Sequence, residues 1–401
     1  MARTRIGVDV GSTAVRVAEV AAGDIPVVVR AAQVPLPPGV VEAGEVRQPE
    51  AVAEALREVW SKSGVKSKQV HLGVGNQRVV VREVALPWLP EKELRDTLGF
   101  QVQEFIPMAS DDAVLDFDPL GEMNQGGRRM VRILLVAAHR PMVNALVEAA
   151  LAAKLDPQGI DLTPFAVVRA VGTGDEGLDL DSSGDEAIVD IGAQVTSICV
   201  HDRGVTRFVR MLPSGGRDIT LALASGLGVD EAAAERLKRG ETPETPTQDA
   251  QKDAADRPSA DQPAIELPPP ADSLPVDGPP ADTLPVEAPR GAPAVLTDPT
   301  EVRRLALTRA GSFVDEVRSS LEFYTAQMPN AQIGRVLVVG GGSRLDGLLE
   351  LLQERLPVPV DRGRLFERAK SEIELSAEAS AEAEAVLSVA VGLAIPARRN
   401  A

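Results

Sequence analysis

Two aspartates stand where an apolar run meets a glycine: Ile6-Gly-Val-Asp9-Val-Gly11-Ser12-Thr13 near the start and Ile188-Val-Asp190-Ile-Gly192-Ala193 in the second half. A glycine in such a turn lets backbone N–H groups approach phosphate oxygens with no Cβ in the way. A carboxylate at the strand end can hold the waters of a hydrated Mg²⁺, an ion that rarely surrenders its whole shell to protein ligands. Ser12 and Thr13 add hydroxyl donors, and Arg16 adds a guanidinium on the same hairpin. One Asp-x-Gly turn is ordinary β-hairpin chemistry. Two of them at matching places predict a duplicated nucleotide clamp, with Asp9 and Asp190 holding Mg²⁺ through water.

Three further motifs extend that clamp. Val336-Leu-Val-Val-Gly340-Gly341-Gly342-Ser343 is an apolar strand running into glycines ahead of a helix, a place where a ligand can come close to backbone N–H groups. It does not fit the dinucleotide fingerprint, because Leu345 stands where G-x-G-x-x-G needs its third glycine. Gly215-Gly216-Arg-Asp218 again sets a glycine pair before a helix. Glu235 and Lys238 lie three apart on one helical face, a spacing that in isolation is usually a solvated ion pair.

The elements that position these residues can be read from pattern. Strands are predicted at Ile6–Val10, Val15–Val20 and Val27–Gln33, a helix from Pro49 to Ser63, and strands at Val70–Val74 and Val79–Leu86. A helix over Glu91–Phe105, a strand at Met130–Ala138 and helices at Pro141–Ala153 and Phe165–Val171 follow. The acidic stretch Gly172–Gly184 reads as a lobe boundary. Beyond it come strands at Ala187–Ile191, Ser197–His201 and Thr206–Met211, then helices at Gly216–Ala224 and Asp230–Arg239. Folded sequence resumes with helices at Pro299–Met328, Leu345–Leu356 and Ala377–Leu393 around the strand Val336–Val339. The expected organisation is a first lobe over 1–180 and a second over 181–401.

Between Glu241 and Pro293 the composition changes to proline and acid, with eleven Asp or Glu against three Lys or Arg. Ala271-Asp-Ser-Leu-Pro-Val-Asp277 is echoed by Ala281-Asp-Thr-Leu-Pro-Val-Glu287. Such a stretch cannot bury enough apolar surface to offset its ordering entropy, so a disordered insertion is expected. It serves either as a tether or, through the repeated Leu-Pro-Val, as a short partner motif.

Composition narrows the function. The 401 residues suit two lobes, and a net charge of -17 leaves no basic excess for sequence-independent nucleic-acid binding. A single cysteine, Cys199, and three scattered histidines offer no metal-ligand spacing. Asp9 interrupts the first apolar run before a signal core can form, and Ala385–Ile395 is too short to span a bilayer. A soluble cytoplasmic chain is expected, reaching a membrane only through a partner.

The order Asp-x-Gly-Ser-Thr, Asp-x-Gly, Gly-Gly-x-Asp, Ala-Glu-x-x-Lys, Gly-Gly-Gly-Ser resembles the actin superfamily, with its ribonuclease H-like, two-lobed α/β fold. Within it, Ile6–Val20, Glu104-Phe-Ile-Pro107, Gly159-Ile-Asp-Leu-Thr-Pro-Phe-Ala166 with Arg169, and Pro213–Thr220 are most similar to the PilM family of type IV pilus assembly proteins. The resemblance implies ATP with Mg²⁺ between the lobes. Asp9, Gly11, Ser12, Thr13 and Arg16 would face the phosphates from one side, Asp190 and Gly192 from the other. Gly215 and Gly216 would line the phosphate and ribose, while Glu235, Lys238 and Gly340, Gly341, Gly342 and Ser343 would hold the nucleoside. It also implies a small subdomain inserted in the first lobe at about 78–158. Beside that subdomain would dock the N-terminal peptide of a PilN-like inner-membrane protein, linking the membrane complex to the pilus motor ATPases at the inner face of the membrane.

Two other readings stay open: a catalytic ATPase or sugar kinase on the same fold, and an FtsA-like division protein. FtsA-like chains are expected to end in an amphipathic membrane-binding helix, and Ile395-Pro-Ala-Arg-Arg-Asn-Ala401 has no such face. Slow hydrolysis is expected, because Thr163 stands where active relatives would carry the water-orienting Glu. The alternative is that Asp161 does that work.

Overall fold

The computed structural model of the protein describes residues 4–173, 184–241, 298–328 and 331–397. Strands β1 (Thr4–Val10), β2 (Ala14–Ala21) and β3 (Val27–Pro35) form an antiparallel meander. Its register sets Asp9 opposite Arg16, which puts both side chains on one face of the pair. A short hairpin of β4 (Val41–Glu42) and β5 (Glu45–Val46) leads into α1 (Pro49–Ser63). In α1, Val52, Leu56, Val59 and Trp60 recur at helical spacing and are buried, Pro49 occupies the first turn, and Gly64 ends the helix at φ 67°. β6 (Gln69–Val74) then runs parallel beside β1.

The inserted unit comprises β7 (Val79–Pro87), α2 (Glu91–Gln101), β8 (Ala113–Gln125) and β9 (Arg128–His139). Its antiparallel sheet has the order β7-β9-β8 and its own core, in which Leu94 and Leu98 of α2 pack on Val84, Phe117 and Ile133. The helix expected to reach Phe105 gives way after Gln101 to a 3₁₀ turn at Gln103–Phe105. Next comes α3 (Arg140–Ala152), whose Met142, Val143 and Leu146 join the core built by Leu56 and Trp60. The separate core of the inserted unit runs from β7 to β9. β10 (Asp156–Leu162) pairs with β6 on the first sheet, and α4 (Thr163–Val171) leads toward the second lobe.

The second lobe repeats the plan. β11 (Asp185–Ile191), β12 (Thr196–Asp202) and β13 (Val205–Leu212) form a meander, followed by α5 (Gly216–Leu227), α6 (Glu231–Lys238) and α7 (Pro299–Gln327). β14 (Ile333–Val339) runs parallel to β11, as β6 does to β1; α8 (Leu348–Arg355) and β15 (Val360–Arg362) complete a sheet of order β13-β12-β11-β14-β15. A 3₁₀ turn, Gly341–Arg344, delays the helix expected to begin at Leu345. The expected insertion at 241–293 lies, after Glu241, outside the described residues, as does 174–183 of the expected lobe boundary.

The last elements of the chain return to the first sheet. These are α9 (Leu365–Arg368), β16 (Lys370–Ser371), α10 (Ala377–Val386) and α11 (Ser388–Ala394), the single helix expected over Ala377–Leu393 breaking at Leu387. β16 pairs with β3, so the first sheet reads β10-β6-β1-β2-β3-β16. α11 is buried along its length in a core shared with Ala166 and Val167 of α4, Ile188 of β11 and Leu337 of β14. Backbones meet there: a Cβ on Gly7 would lie 2.0 Å from Ala390 O, and one on Gly392 would lie 1.8 Å from Ala166 O.

Candidate nucleotide-binding site between the lobes

The two Asp-x-Gly hairpins close alike. Gly11 N–H donates to Ala14 O at 3.0 Å, and Gly192 N–H donates to Val195 O at 3.0 Å. The turn residues between them are Ser12 and Thr13 in one lobe and Ala193 and Gln194 in the other. The fold brings the hairpins face to face, close enough for the charge of Asp9 to act on Asp190. Gly340 completes this corner, since at φ 85° it packs so tightly that a Cβ would lie 2.4 Å from Asp190 Oδ1.

The second-lobe wall is built from backbone. Gly216 N–H donates to Gly192 O at 3.0 Å and Arg217 N–H to Ala193 O at 2.8 Å. A Cβ on Gly215 would lie 2.4 Å from Gly192 O, which is why the first residue of this pair is glycine. Lys238 Nζ donates to Gly216 O at 3.0 Å, Thr220 Oγ1 at 2.8 Å and Glu235 Oε2 at 2.5 Å. Glu235 and Lys238 are thus not a loose surface pair but a brace under Gly216, and Gly342 Cα lies 3.8 Å from where a Gly216 Cβ would be. Gly341 and Ser343, expected as nucleoside contacts, lie in the same loop. Gly341 faces Val386 of α10, and the buried Ser343 hydroxyl donates to Gly340 O at 2.7 Å, bracing the loop.

Charge differs between the two aspartates. Burial raises the Asp9 carboxyl above its ordinary range, opposed by Arg16, whose Nη1 lies 3.2 Å from Asp9 Oδ2. Burial, with the charge of Asp9 adding to it, pushes Asp190 up to about 7. The Nε of Arg16 is buried with no hydrogen-bond partner among the described residues. A buried unpaired guanidinium N–H is costly, and an anion brought beside it would remove the cost. An orphaned cationic donor, two carboxylates and glycines whose Cβ atoms would obstruct the turns suit a polyphosphate with a hydrated cation.

Thr163 opens α4 at the first-lobe side of the cleft, its hydroxyl 2.0 Å from where a Cβ on Gly75 would be. Asp161 is tied elsewhere: it pairs with Arg169 and accepts Leu162 N–H at 2.7 Å, while Arg169 Nε donates to Gly392 O at 3.0 Å. Away from the cleft, Val80 and Arg82 of β7 and Glu104, Phe105, Ile106 and Pro107 line a cavity of about 270 Å³. Pattern reading missed one contact in the cleft. Gln194 Oε1 accepts the Ala43 N–H at 2.7 Å, joining the β4–β5 hairpin to the Gly192–Val195 turn. The Gly44 turn between Glu42 and Glu45 was a readable hairpin signal.

Two lobes, each a meander extended by a parallel strand, with Asp-x-Gly turns facing one another, make an actin-like fold. The ethanolamine utilization protein EutJ from Carboxydothermus hydrogenoformans shares it at a TM-score of 0.51 and 16% identity, over 98% of this chain and 90% of that one. So does a diol dehydratase-reactivating factor in nucleotide-free form, at 0.50 and 12%, over 98% and 99% of the two chains. A structure of a PilM–PilN type IV pilus biogenesis complex matches at a TM-score of 0.71 and 25% identity, over 97% of both chains. The chain belongs to the family of the type IV pilus assembly protein PilM, whose family model matches residues 7–250. The model of the cell division protein FtsA matches residues 187–385.

Proposed function

We propose that this actin-like protein of type IV pilus assembly is an ATP-dependent scaffold at the inner face of the cell membrane. Mg-ATP binds between the lobes, and the N-terminal cytoplasmic peptide of a PilN-like inner-membrane protein docks beside the inserted subdomain. The protein thereby links that membrane complex to the pilus motor ATPases. The observation that carries the nucleotide reading is the convergence of Asp9, Arg16 and Asp190 around a buried guanidinium N–H with no partner among the described residues. Arg16, the Gly11–Thr13 turn and Gly192 would hold the phosphates, and Asp9 and Asp190 would hold the waters of Mg²⁺. The cation, when bound, supplies charge that the single nearby arginine cannot balance alone.

The partner reading is supported by the cavity between β7 and Glu104–Pro107, and by the PilN named in the matched complex. Among the described residues no helix is long and apolar enough to cross a membrane. Calorimetry with Mg-ATP tests the first half. Titrating the isotope-labelled full chain with a PilN-type N-terminal peptide tests the second; shifts at Val80, Arg82 and Glu104–Pro107 are expected, and shifts confined to the second lobe would refute it.

Turnover should be slow. A threonine hydroxyl at 163 cannot act as a base near neutral pH, and Asp161 is held by Arg169, so a water-activating contribution of about 10²–10⁴-fold is missing. Single-turnover hydrolysis at about 1 s⁻¹ or faster would mark a true enzyme instead.

A further inference from the structure

Gly44 lies hard against the end of β6, since a Cβ on it would lie 2.4 Å from Gly75 O, and Gly75 in turn touches Thr163. β6 pairs directly with β1, so the tip of the β4–β5 hairpin stands at the same end of the first sheet as Asp9. From there it crosses the cleft. Ala43 N–H reaches Gln194 Oε1, 151 residues away in sequence, within the turn that begins at Gly192. A second influence follows the same line: the charge of Glu42 acts on Arg217, whose N–H is bonded to Ala193 O in that turn.

The base of the hairpin is firmly held. Glu45 is buried and pairs with Arg47 at 2.9 Å and Arg78 at 3.0 Å, while Asn76 Nδ2 donates to Glu45 Oε1 at 3.3 Å. Asn76 is itself 1% exposed, and its Oδ1 accepts Arg78 N–H at 2.8 Å. The tip is different. Ala43 has φ 47° and Gly44 φ 78°, the left-handed pair that a two-residue hairpin demands, with a Cβ-bearing residue in the first of these positions. A braced base and a strained tip, held across the cleft by one neutral hydrogen bond, are the parts of a device that can open without unfolding.

We propose that the β4–β5 hairpin is a latch over the phosphate end of the cleft, and that Gln194 is the residue that keeps it shut and so slows nucleotide exit. This rests on the nucleotide reading above. In the closed state the hairpin, the Gly75–Thr163 contact and the Gly192–Val195 turn wall off that end, and a polyphosphate would leave only after the Ala43–Gln194 bond breaks.

The test uses the full chain loaded with Mg²⁺ and fluorescent mant-ATP, chased with excess ATP in a stopped-flow instrument. Gln194→Ala should release the probe about three- to tenfold faster, the effect of losing one neutral hydrogen bond. Ala43→Gly relieves the tip while retaining its N–H, and should release it no faster than wild type. Without nucleotide, deuterium exchange at the Ala43 amide should quicken in Gln194→Ala while the melting temperature holds. A wild-type release rate in Gln194→Ala, or faster release from Ala43→Gly, would overturn the latch while leaving nucleotide binding standing. Wild-type protein that fails to bind mant-ATP would overturn the nucleotide reading and the latch with it, an outcome visible before any variant is made.

Discussion

Asp9 and Asp190 stand at equivalent places in equivalent turns, and their surroundings make them different groups. Asp9 faces Arg16 across its own hairpin, so the charge lost from solvent is partly returned by a guanidinium. At the place matching Arg16 the second hairpin carries Ser197: among the described residues Asp190 has no ion pair, and the like charge of Asp9 acts on it more strongly than the opposing charge of Arg16. A duplicated backbone motif therefore does not imply a duplicated charge state. One lobe brings a paired carboxylate to the cleft, the other a carboxyl that holds its proton to about neutrality.

The largest expected effect is on binding. Asp190→Ala should raise the Kd for Mg-ATP by about 10- to 100-fold, as loss of a charge-assisted contact does. Asp9→Ala should cost less, because Arg16, released from its partner, can turn to the phosphates. Calorimetry with and without Mg²⁺ reads both; equal losses would break the asymmetry, and no loss in either would remove the clamp.

A smaller effect appears in stability without nucleotide. Asp190 titrates at about 7 when folded and near the ordinary aspartate value of 3.8 when unfolded, so the folded state holds the extra proton between those values. Stability should accordingly fall as pH rises from about 4 to 7 and level off above. Asp190→Asn removes that dependence. Because the side chain is only half-buried, the variant should exceed wild type by about 1–2 kcal/mol at pH 8, the two converging near pH 4, as urea unfolding at both pH values would reveal. The least effect is expected behind the second hairpin. Gly341→Ala would meet only Val386 Cγ1 at 3.8 Å, and should change stability by no more than about 0.5 kcal/mol. A Cβ on Gly342 would lie 2.5 Å from Ile191 Cγ2, so Gly342→Ala should be clearly worse; thermal melts that rank the two the other way would misplace the loop.

Much of this architecture was legible because the motifs sit at strand ends that apolar periodicity marks clearly, as in Ile6–Val10 and Ala187–Ile191. β8 was not, because an edge strand carrying Asp116, Asp118, Pro119 and Gly121 presents few of the residues that announce strands, although Ala113, Leu115 and Phe117 keep the alternation. β10 hides for a similar reason: Pro157 and Gly159 flank an irregularity in its pairing with β6. At the site, residue type located Asp9, Arg16 and Asp190, but it could not tell that Ser343 turns back onto Gly340. Nor could it find Gln194, whose partner lies on another lobe and belongs to no local pattern.

Gly7 and Gly392 have a consequence for how the molecule is made. The helix Ser388–Ala394 covers β1 and α4 at backbone contact, yet it is synthesised nearly 380 residues after the strand it covers. At the roughly 5–20 residues per second of translation, β1 waits tens of seconds for its cover. The two lobes are therefore not two successive folding events along the ribosome. The first sheet emerges early, exposes Ala18 and the other apolar positions that α11 will bury, and depends on chaperones or on its own partial collapse until the late helix arrives. Truncating the chain before Ser388 should consequently destabilise the lobe that is translated first, not the one just finished.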